Sequence, residues 1–468
     1  MMDSSPVRPV KHPLDDITNR LPITPDHSPL AHVNGVKRQR LSPGDRPAKP
    51  VFAPVDAACN VVGRRRKARV GLEFGRSLGV NEGRFDLSAP LRTAALNYYS
   101  TPDWTHHIHA QENENDHSIP FAVSSCNTNS LVAIADETGS VRLLDTDPSR
   151  NFREPVLHLQ LHNNAIFDLS WSADDALLAT ASGDQTSAVF DVQRQVCVAG
   201  LMGHTATVKQ ILFNPTNPAL LSTCSRDGNI HLWDLRCTAA SNGGTAFQKP
   251  VNSVLTAHAT PQQRASKKKL PPTSITSLAY LPNGNVVSAS ESNSCLKVWD
   301  VRRLHPRTPI ITTPAPASQS RPYGITSMNM APNGQMLYAL SRDGALYRYD
   351  TSFMVRGPID AGWRCDGLAV RSYFVKSQIS RDGNYVACGS SDNNVVLFPT
   401  AGNGSAGVTL KGGHLKEVTS VAFSGVDNTL MSVSDDMVCR LWREGLQGEA
   451  GGLRNAEEGA RWGWGWST

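Results

Sequence analysis

Two four-residue stretches stand out for the chemistry they could do: Trp233-Asp234-Leu235-Arg236 and Trp299-Asp300-Val301-Arg302. Neither contains a nucleophile beside a base, nor ligands spaced for a metal. Each offers recognition instead, because a guanidinium is a planar, permanently charged fork that suits carboxylates and backbone carbonyls in a protein groove. The plainer alternative is that both arginines are solvated rim charges or braces for neighbouring loops. Elsewhere the chain has no phosphate-binding glycine loop, no G-x-S-x-G and no H-E-x-x-H. Its one histidine cluster, His106-His107-Ile108-His109, lacks carboxylate or cysteine partners at ligand spacing. No catalytic residue, metal, cofactor or small-molecule substrate is therefore expected.

The elements that must position these residues are repeats. An aspartate in a tight turn is followed six residues later by an aromatic at Asp184 and Phe190, Asp227 and Trp233, Asp343 and Tyr349, Asp392 and Phe398, and Asp436 and Trp442. Two degraded copies complete the set, with Asn293 before Trp299 and Thr138 before Leu144. The seven anchors, at 144, 190, 233, 299, 349, 398 and 442, are spaced 46, 43, 66, 50, 49 and 44 residues apart, close to the period of four-stranded propeller blades. Alternating apolar runs precede each turn, as half-buried antiparallel strands require. A lone blade cannot cover both its faces, so the repeats must stack around an axis. The expected fold is all-β, a seven-bladed propeller over residues 91–445. The stretch after Trp442 is a poor outer strand, so Leu91–Tyr99 is expected to supply the strand that closes the ring.

Composition sets the surroundings. The chain has 468 residues, 40% hydrophobic and 19% charged, without an apolar run of membrane-spanning length or a secretory signal, which points to a soluble protein inside the cell and no membrane partner. Nine cysteines without a C-x-x-C pair suggest neither zinc nor a disulfide framework. Residues 1–100 hold 16 Lys/Arg against 9 Asp/Glu, and ten of the thirty prolines fall in the first 60 residues. Residues 1–90 are therefore expected to be a disordered, basic, proline-rich tail. A basic polar insertion is expected at 238–272, between blades 3 and 4, and a short flexible tail at 446–468.

The Gly-His dipeptides at 203–204 and 413–414, the turn aspartates and the two Trp-Asp pairs resemble the signature of WD-repeat proteins. That resemblance implies a structural network from His204 and Asp227 to Trp233, and from His414 and Asp436 to Trp442. The physical case agrees, since buried Trp and His need partners for their N–H groups. More narrowly, the ordered run of Phe167 to Trp171, Gly183 to Thr186, Arg226 to Ile230 and Trp233-Asp234 resembles the denticleless family, whose members are substrate receptors of cullin-4 RING ubiquitin ligases. The resemblance implies a non-catalytic receptor whose Trp-Asp-x-Arg turns, Trp233, Asp234 and Arg236 with Trp299, Asp300 and Arg302, dock on the ligase's damage-binding propeller adaptor. It further implies that the selected proteins are replication and cell-cycle regulators bound to PCNA, degraded in S phase or after DNA damage.

The N-terminal tail carries address signals. Lys37, Arg38 and Arg40, then Arg64, Arg65, Arg66 and Lys67, read as nuclear-import sequences. Ser5, Thr24, Ser28 and Ser42 each precede proline and are candidate phosphorylation sites, where added negative charge would oppose the basic runs. A nuclear location follows. Direct DNA binding is not expected, although a nucleic-acid reading based on the basic tail stays open. So does a passive WD-repeat scaffold in a chromatin or RNA-processing complex.

Overall fold

The computed structural model describes residues 97–109, 117–237, 246–259, 271–303, 308–401 and 407–445, with the short strand Trp466–Ser467. The described part is a seven-bladed β-propeller. Blade 1 comprises Pro120–Ser125, Leu131–Asp136, Ser140–Asp145 and Leu157–Gln160, each antiparallel to the next. Blade 2 comprises Ile166–Trp171, Leu177–Ser182, Thr186–Asp191 and Val196–Met202. Blade 3 comprises Val208–Asn214, Asn217–Ser225, Ile230–Asp234 and Asn252–Val254. Blade 4 comprises Ile275–Tyr280, Val286–Ser290, Lys297–Trp299 and Ile311–Thr312. Blade 5 has three strands, Ile325–Met330, Met336–Ser341 and Ala345–Asp350, and an isolated bridge from Leu346 to Trp363 in place of a fourth. Blade 6 comprises Ser377–Ile379, Tyr385–Gly389, Val395–Pro399 and Val408–Leu410. Blade 7 comprises Val418–Phe423, Leu430–Ser434 and Val438–Glu444.

Sequence explains why these sheets stack. Second strands such as Leu177–Ser182 (LLATAS), Val286–Ser290 (VVSAS) and Leu430–Ser434 (LMSVS) mix aliphatic with small residues and are almost wholly buried, as strands covered on both faces must be. Seven apolar clusters follow, one at each seam between neighbouring blades. Around the axis the first strands lie side by side and are tied by side chains reaching the next blade. Ile211 N–H donates to Asp168 (3.2 Å), Met328 N–H to Ser277 (3.0 Å) and Phe423 N–H to Gln378 (2.8 Å).

Blade 7 takes its outer partners from the start of the described chain. Tyr98–Tyr99 pairs with Glu444 and Arg443, and Thr105–His107 pairs with Arg440 to Val438, both antiparallel. The closing strand thus uses Tyr98 and Tyr99 of the expected 91–99 stretch, continues in Thr105–His107, and is broken in two by a short 3-10 turn, Pro102–Trp104. Residues 91–96 lie outside the described residues. The Tyr98 ring is fully buried in the seam of blades 6 and 7, and its hydroxyl donates to Asn428 O at 2.8 Å. Ile108 is fully buried in the seam of blades 7 and 1.

Two segments read as loop or tail contain strands. Within 238–272, Ala246–Gln248 adds a fifth strand, parallel, to the edge of blade 2, and Asn252–Val254 is the outer strand of blade 3; Ser266 to Leu270 lie outside the described residues. Within 446–468, Trp466–Ser467 pairs with Leu410 and Thr409 at the edge of blade 6. Both additions cover sheet edges that would otherwise be open. Among the described residues no helix is long and apolar enough to cross a membrane.

Tyr98→Ala should remove a buried ring from the closing seam and cost about 3–5 kcal/mol. Thermal unfolding followed by tryptophan fluorescence checks it, and the whole ring is expected to melt earlier in one transition.

Candidate functional site

The blade interiors are built around histidines. In blade 3 the His204 Nδ1–H donates to Asp227 at 3.0 Å, its Nε2 accepts from Thr223 Oγ1 at 2.8 Å, and that hydroxyl accepts from Trp233 Nε1–H at 2.9 Å. Blade 7 repeats the chain, with His414 near Asp436 (3.1 Å) and Ser432 (2.7 Å), and Trp442 Nε1–H donating to Ser432 (2.8 Å). The tautomers are those the network requires. The glycine before each histidine gives room for the indole. A Cβ on Gly413 would fall 2.3 Å from the Trp442 ring, and one on Gly203 would fall 3.2 Å from Trp233.

Two further members were missed because no Gly precedes them. His162 lies near Asp184 (2.8 Å) and Thr180 (2.7 Å) in blade 2, and His258 near Ser288 (2.8 Å) in blade 4, where Ser288 also accepts from Trp299. For His162 a signal existed: it stands 22 residues before its aspartate, against 23 for His204 and 22 for His414. In blade 1, where neither turn aspartate nor aromatic occupies its usual place, Asp136 accepts from Thr138, Ser140 and a buried Arg142 instead.

These groups are charged or neutral as their packing dictates. Burial alone pushes the Asp227 carboxyl up, but the hydrogen bond and charge of His204 and two backbone N–H groups hold it at about 2. Burial lowers His231 and His106 to about 4 and His258 to about 3. His204, Asp227 and His231 lie close enough together to suggest a metal triad. Yet the His231 nitrogens already meet Ser253 (2.8 Å) and Gly203 O (3.3 Å), and both nitrogens of His204 are engaged as above, so the donor atoms are spent on hydrogen bonds. In the 106–109 cluster, His106 Nδ1 lies 2.8 Å from Arg153 O and His107 is exposed.

The two Trp-Asp-x-Arg turns leave the third strands of blades 3 and 4, one strand short of the outer edge. Because Asp234 pairs with Leu220 and Trp299 with Val286, at the starts of the second strands, both turns lie on the face that also holds the first-to-second strand turns. Trp233 and Trp299 are buried, while Arg236 and Arg302 are exposed, with side chains 66% and 75% accessible. Each guanidinium folds back on its own aspartate. Arg236 donates to both oxygens of Asp234 (2.9 and 2.7 Å), and Arg302 donates to Asp300 at 3.0 Å. Those hydrogen bonds hold both carboxyls below the usual range. Amide side chains brace the turns: Gln248 donates to Leu235 O (3.3 Å), and Asn252 to Val301 O (2.9 Å) and Arg303 O (2.7 Å). The arrangement presents two pre-oriented cations on adjacent blades.

On the same face a cavity of about 630 Å³ is lined by Phe213, Pro215, Tyr280, Pro282, Met330 and Pro332. The nuclear-import candidates Lys37, Arg38, Arg40, Arg64, Arg65, Arg66 and Lys67, and the phosphorylation candidates Ser5, Thr24, Ser28 and Ser42, lie outside the described residues.

Residues 153–191, 195–234, 266–300 and 407–443 match the model of the WD domain, G-beta repeat. The chain is 37% identical over 370 residues to Cell division cycle protein cdt2 of Schizosaccharomyces pombe, covering 75% of this chain and 74% of that protein. It is 31% identical over 352 residues to Denticleless protein homolog B of Xenopus laevis (71% and 48% covered), and 29% identical over 403 residues to Denticleless protein homolog of Homo sapiens (80% and 53% covered). The chain spans about half the length of these two denticleless homologues. The repeat matches are offset from the blades: 195–234 begins with the outer strand of blade 2 and ends with the third strand of blade 3.

His106, His231 and His258 stay neutral in the fold, whereas the unfolded chain takes up protons near pH 6.5. Stability is therefore full above about pH 6.5 and falls as pH drops toward 4, by up to about 3 kcal/mol for His231. Urea midpoints at pH 7.5 and pH 5 should show the loss, and His106→Gln should make the slope shallower. Separately, Gly413→Ala should force the Trp442 indole aside and cost about 1–3 kcal/mol, read as a lower urea midpoint.

Proposed function

Because the chain belongs to the denticleless family of WD-repeat proteins, we propose that it is a substrate-receptor subunit of a cullin-4 RING ubiquitin ligase. It contributes no catalytic group. Ubiquitin transfer belongs to other subunits, and this chain holds a substrate at a fixed distance from them. The observation that carries the reading is the pair of exposed guanidiniums, Arg236 and Arg302, on adjacent blades of one face.

A rim arginine preformed against its own aspartate loses little freedom on binding, and its fork keeps an N–H edge for a partner's carboxylates or carbonyls. The largely apolar cavity on the same face, with Phe213, Tyr280 and Met330, supplies what a protein interface needs at its centre, with charged groups at the rim. The partner for this face is the ligase's damage-binding propeller adaptor. The proteins presented are replication and cell-cycle regulators associated with PCNA, in keeping with the name of the cell division cycle relative. The site of action is the nucleus, with the basic runs at 37–40 and 64–69 as import signals and the proline-directed Ser5, Thr24, Ser28 and Ser42 as their regulators.

Affinity purification of the tagged protein from replicating cells tests this. Wild type should bring down the adaptor and cullin-4, and Arg236→Ala/Arg302→Ala should reduce recovery at least tenfold while its melting temperature stays unchanged. Adaptor recovered with the double variant at wild-type level would sink the docking role of the two arginines. A folded wild type that recovers neither protein would make the propeller a scaffold.

A further inference from the structure

The segment that leaves the outer strand of blade 7 and enters blade 1 carries three histidines that neither the blade interiors nor the arginine turns use. Beyond Thr105–His107 the chain reaches His109, which faces His117 across an isolated antiparallel bridge. Side chains alternate along this stretch. His106 and Ile108 are buried, whereas His107 is exposed and His109 is half-buried. His107 and His109 therefore share one outward face, and the bridge sets the exposed His117 beside His109 on that face. The three rings form a row, with centroids 6.4 Å apart from His107 to His109 and 4.8 Å apart from His109 to His117.

That row has the dimensions of a metal site. Imidazole nitrogens held at about 2.0–2.1 Å around a tetrahedral ion place neighbouring ring centroids roughly 5 Å apart. The His109–His117 spacing already matches, and His107, being exposed, needs only a turn about its side-chain bonds to join them. Among the described residues neither His107 nor His117 has a hydrogen-bond or ion-pair partner; the histidine–carboxylate pairs there belong to His162, His204 and His414. The group of His204, Asp227 and His231 is the reverse case, with atoms close enough for an ion but nitrogens committed to hydrogen bonds. Local charge does not oppose a cation. The Arg142 guanidinium, which donates to the His109 carbonyl, is paired with the buried Asp136, and Arg153 is paired with Asp103. Along the chain only two ligands are near neighbours, because His117 stands eight residues after His109 and the bridge alone brings them together.

We propose that His107, His109 and His117 bind one divalent transition-metal ion, with zinc as the occupant and water at the fourth position. Three neutral imidazoles suit zinc and its neighbours, whereas magnesium and calcium take oxygen ligands. His107 belongs to the strand that completes blade 7, and His117 lies three residues before Pro120–Ser125, the first strand of blade 1. The ion therefore staples the chain where the ring closes, and its role is structural. This site is independent of the ligase reading.

The test uses the full chain, stripped with EDTA and dialysed, and zinc chloride as the probe in isothermal titration calorimetry. Wild type should bind one zinc ion with Kd below about 10 µM. His107→Ala and His117→Ala, both at exposed positions, should each weaken binding at least tenfold while the metal-free melting temperature stays unchanged. His231→Gln, with its folding checked by thermal melt, should bind zinc as wild type does. Cobalt(II) substituted for zinc should give the intense visible absorption of a tetrahedral site, absent from both surface variants. Zinc should raise the melting temperature of wild type by at least about 2 °C and leave that of His117→Ala where it was. Binding weaker than about 10 µM, equal affinity in wild type and both surface variants, or an octahedral cobalt spectrum would overturn the site. Loss of binding in His231→Gln alone would move the ion to the buried group, and tight binding without a thermal shift would overturn the structural role.

Discussion

Every blade of this protein is apolar on both faces, and that constraint governs the rest. A sheet with Leu221, Trp233 and Ile211 packed against one neighbour and Cys224, Ile230 and Val254 forming the seam with the other has no side to turn to water. Burial of apolar area is proportional and non-directional, so it stabilises any stack of such sheets. What makes the stack finite is closure, and closure requires the seam between blades 7 and 1. There Met431, Val433 and Leu441 meet Val132, Ile134 and Leu144, with Ile108 sealing the seam. The stability of any one blade is therefore inseparable from that of its two neighbours.

The offset between repeat and blade turns this packing problem into a topological lock. Each repeat gives its first strand to the blade before it, so the last repeat leaves blade 7 one strand short. Tyr98–Tyr99 and Thr105–His107 fill that place, so strands from the start of the described chain and from the last repeat share one sheet. Specificity of register comes from the polar interior. The His-Ser/Thr-Trp chains of blades 3, 4 and 7 leave each indole N–H satisfied at one position, and a one-residue slip would bury those donors unpaired, at a cost of about 1–3 kcal/mol each.

The same strand direction in every blade separates two faces. First strands begin at the channel mouth that holds Phe167 and Lys209 and end at turns beside the Trp-Asp-x-Arg arginines. Side-chain bonds from blade to blade, and the Lys376–Asp168 pair that links blade 6 to blade 2, stiffen the wall between them. A rigid disc with two chemically different faces holds a partner on one face at a fixed position relative to the other without any moving part.

The sequence by itself determined the number of blades, the anchors at Asp227, Trp233, Asp436 and Trp442, and the paired arginines, because each depends on local spacing that recurs along the chain. It was also enough to require a closing strand from the N-terminal side. The tertiary structure decided which residues close the ring, since pairing with Val438–Glu444 depends on partners about 340 residues away. It likewise decided that part of the segment 238–272 forms strands, that His162 and His258 join the histidine set, and that Phe374 crosses the channel to Phe121 and Phe167. Those contacts join residues from blades far apart in sequence, and no local period encodes where a ring brings them together.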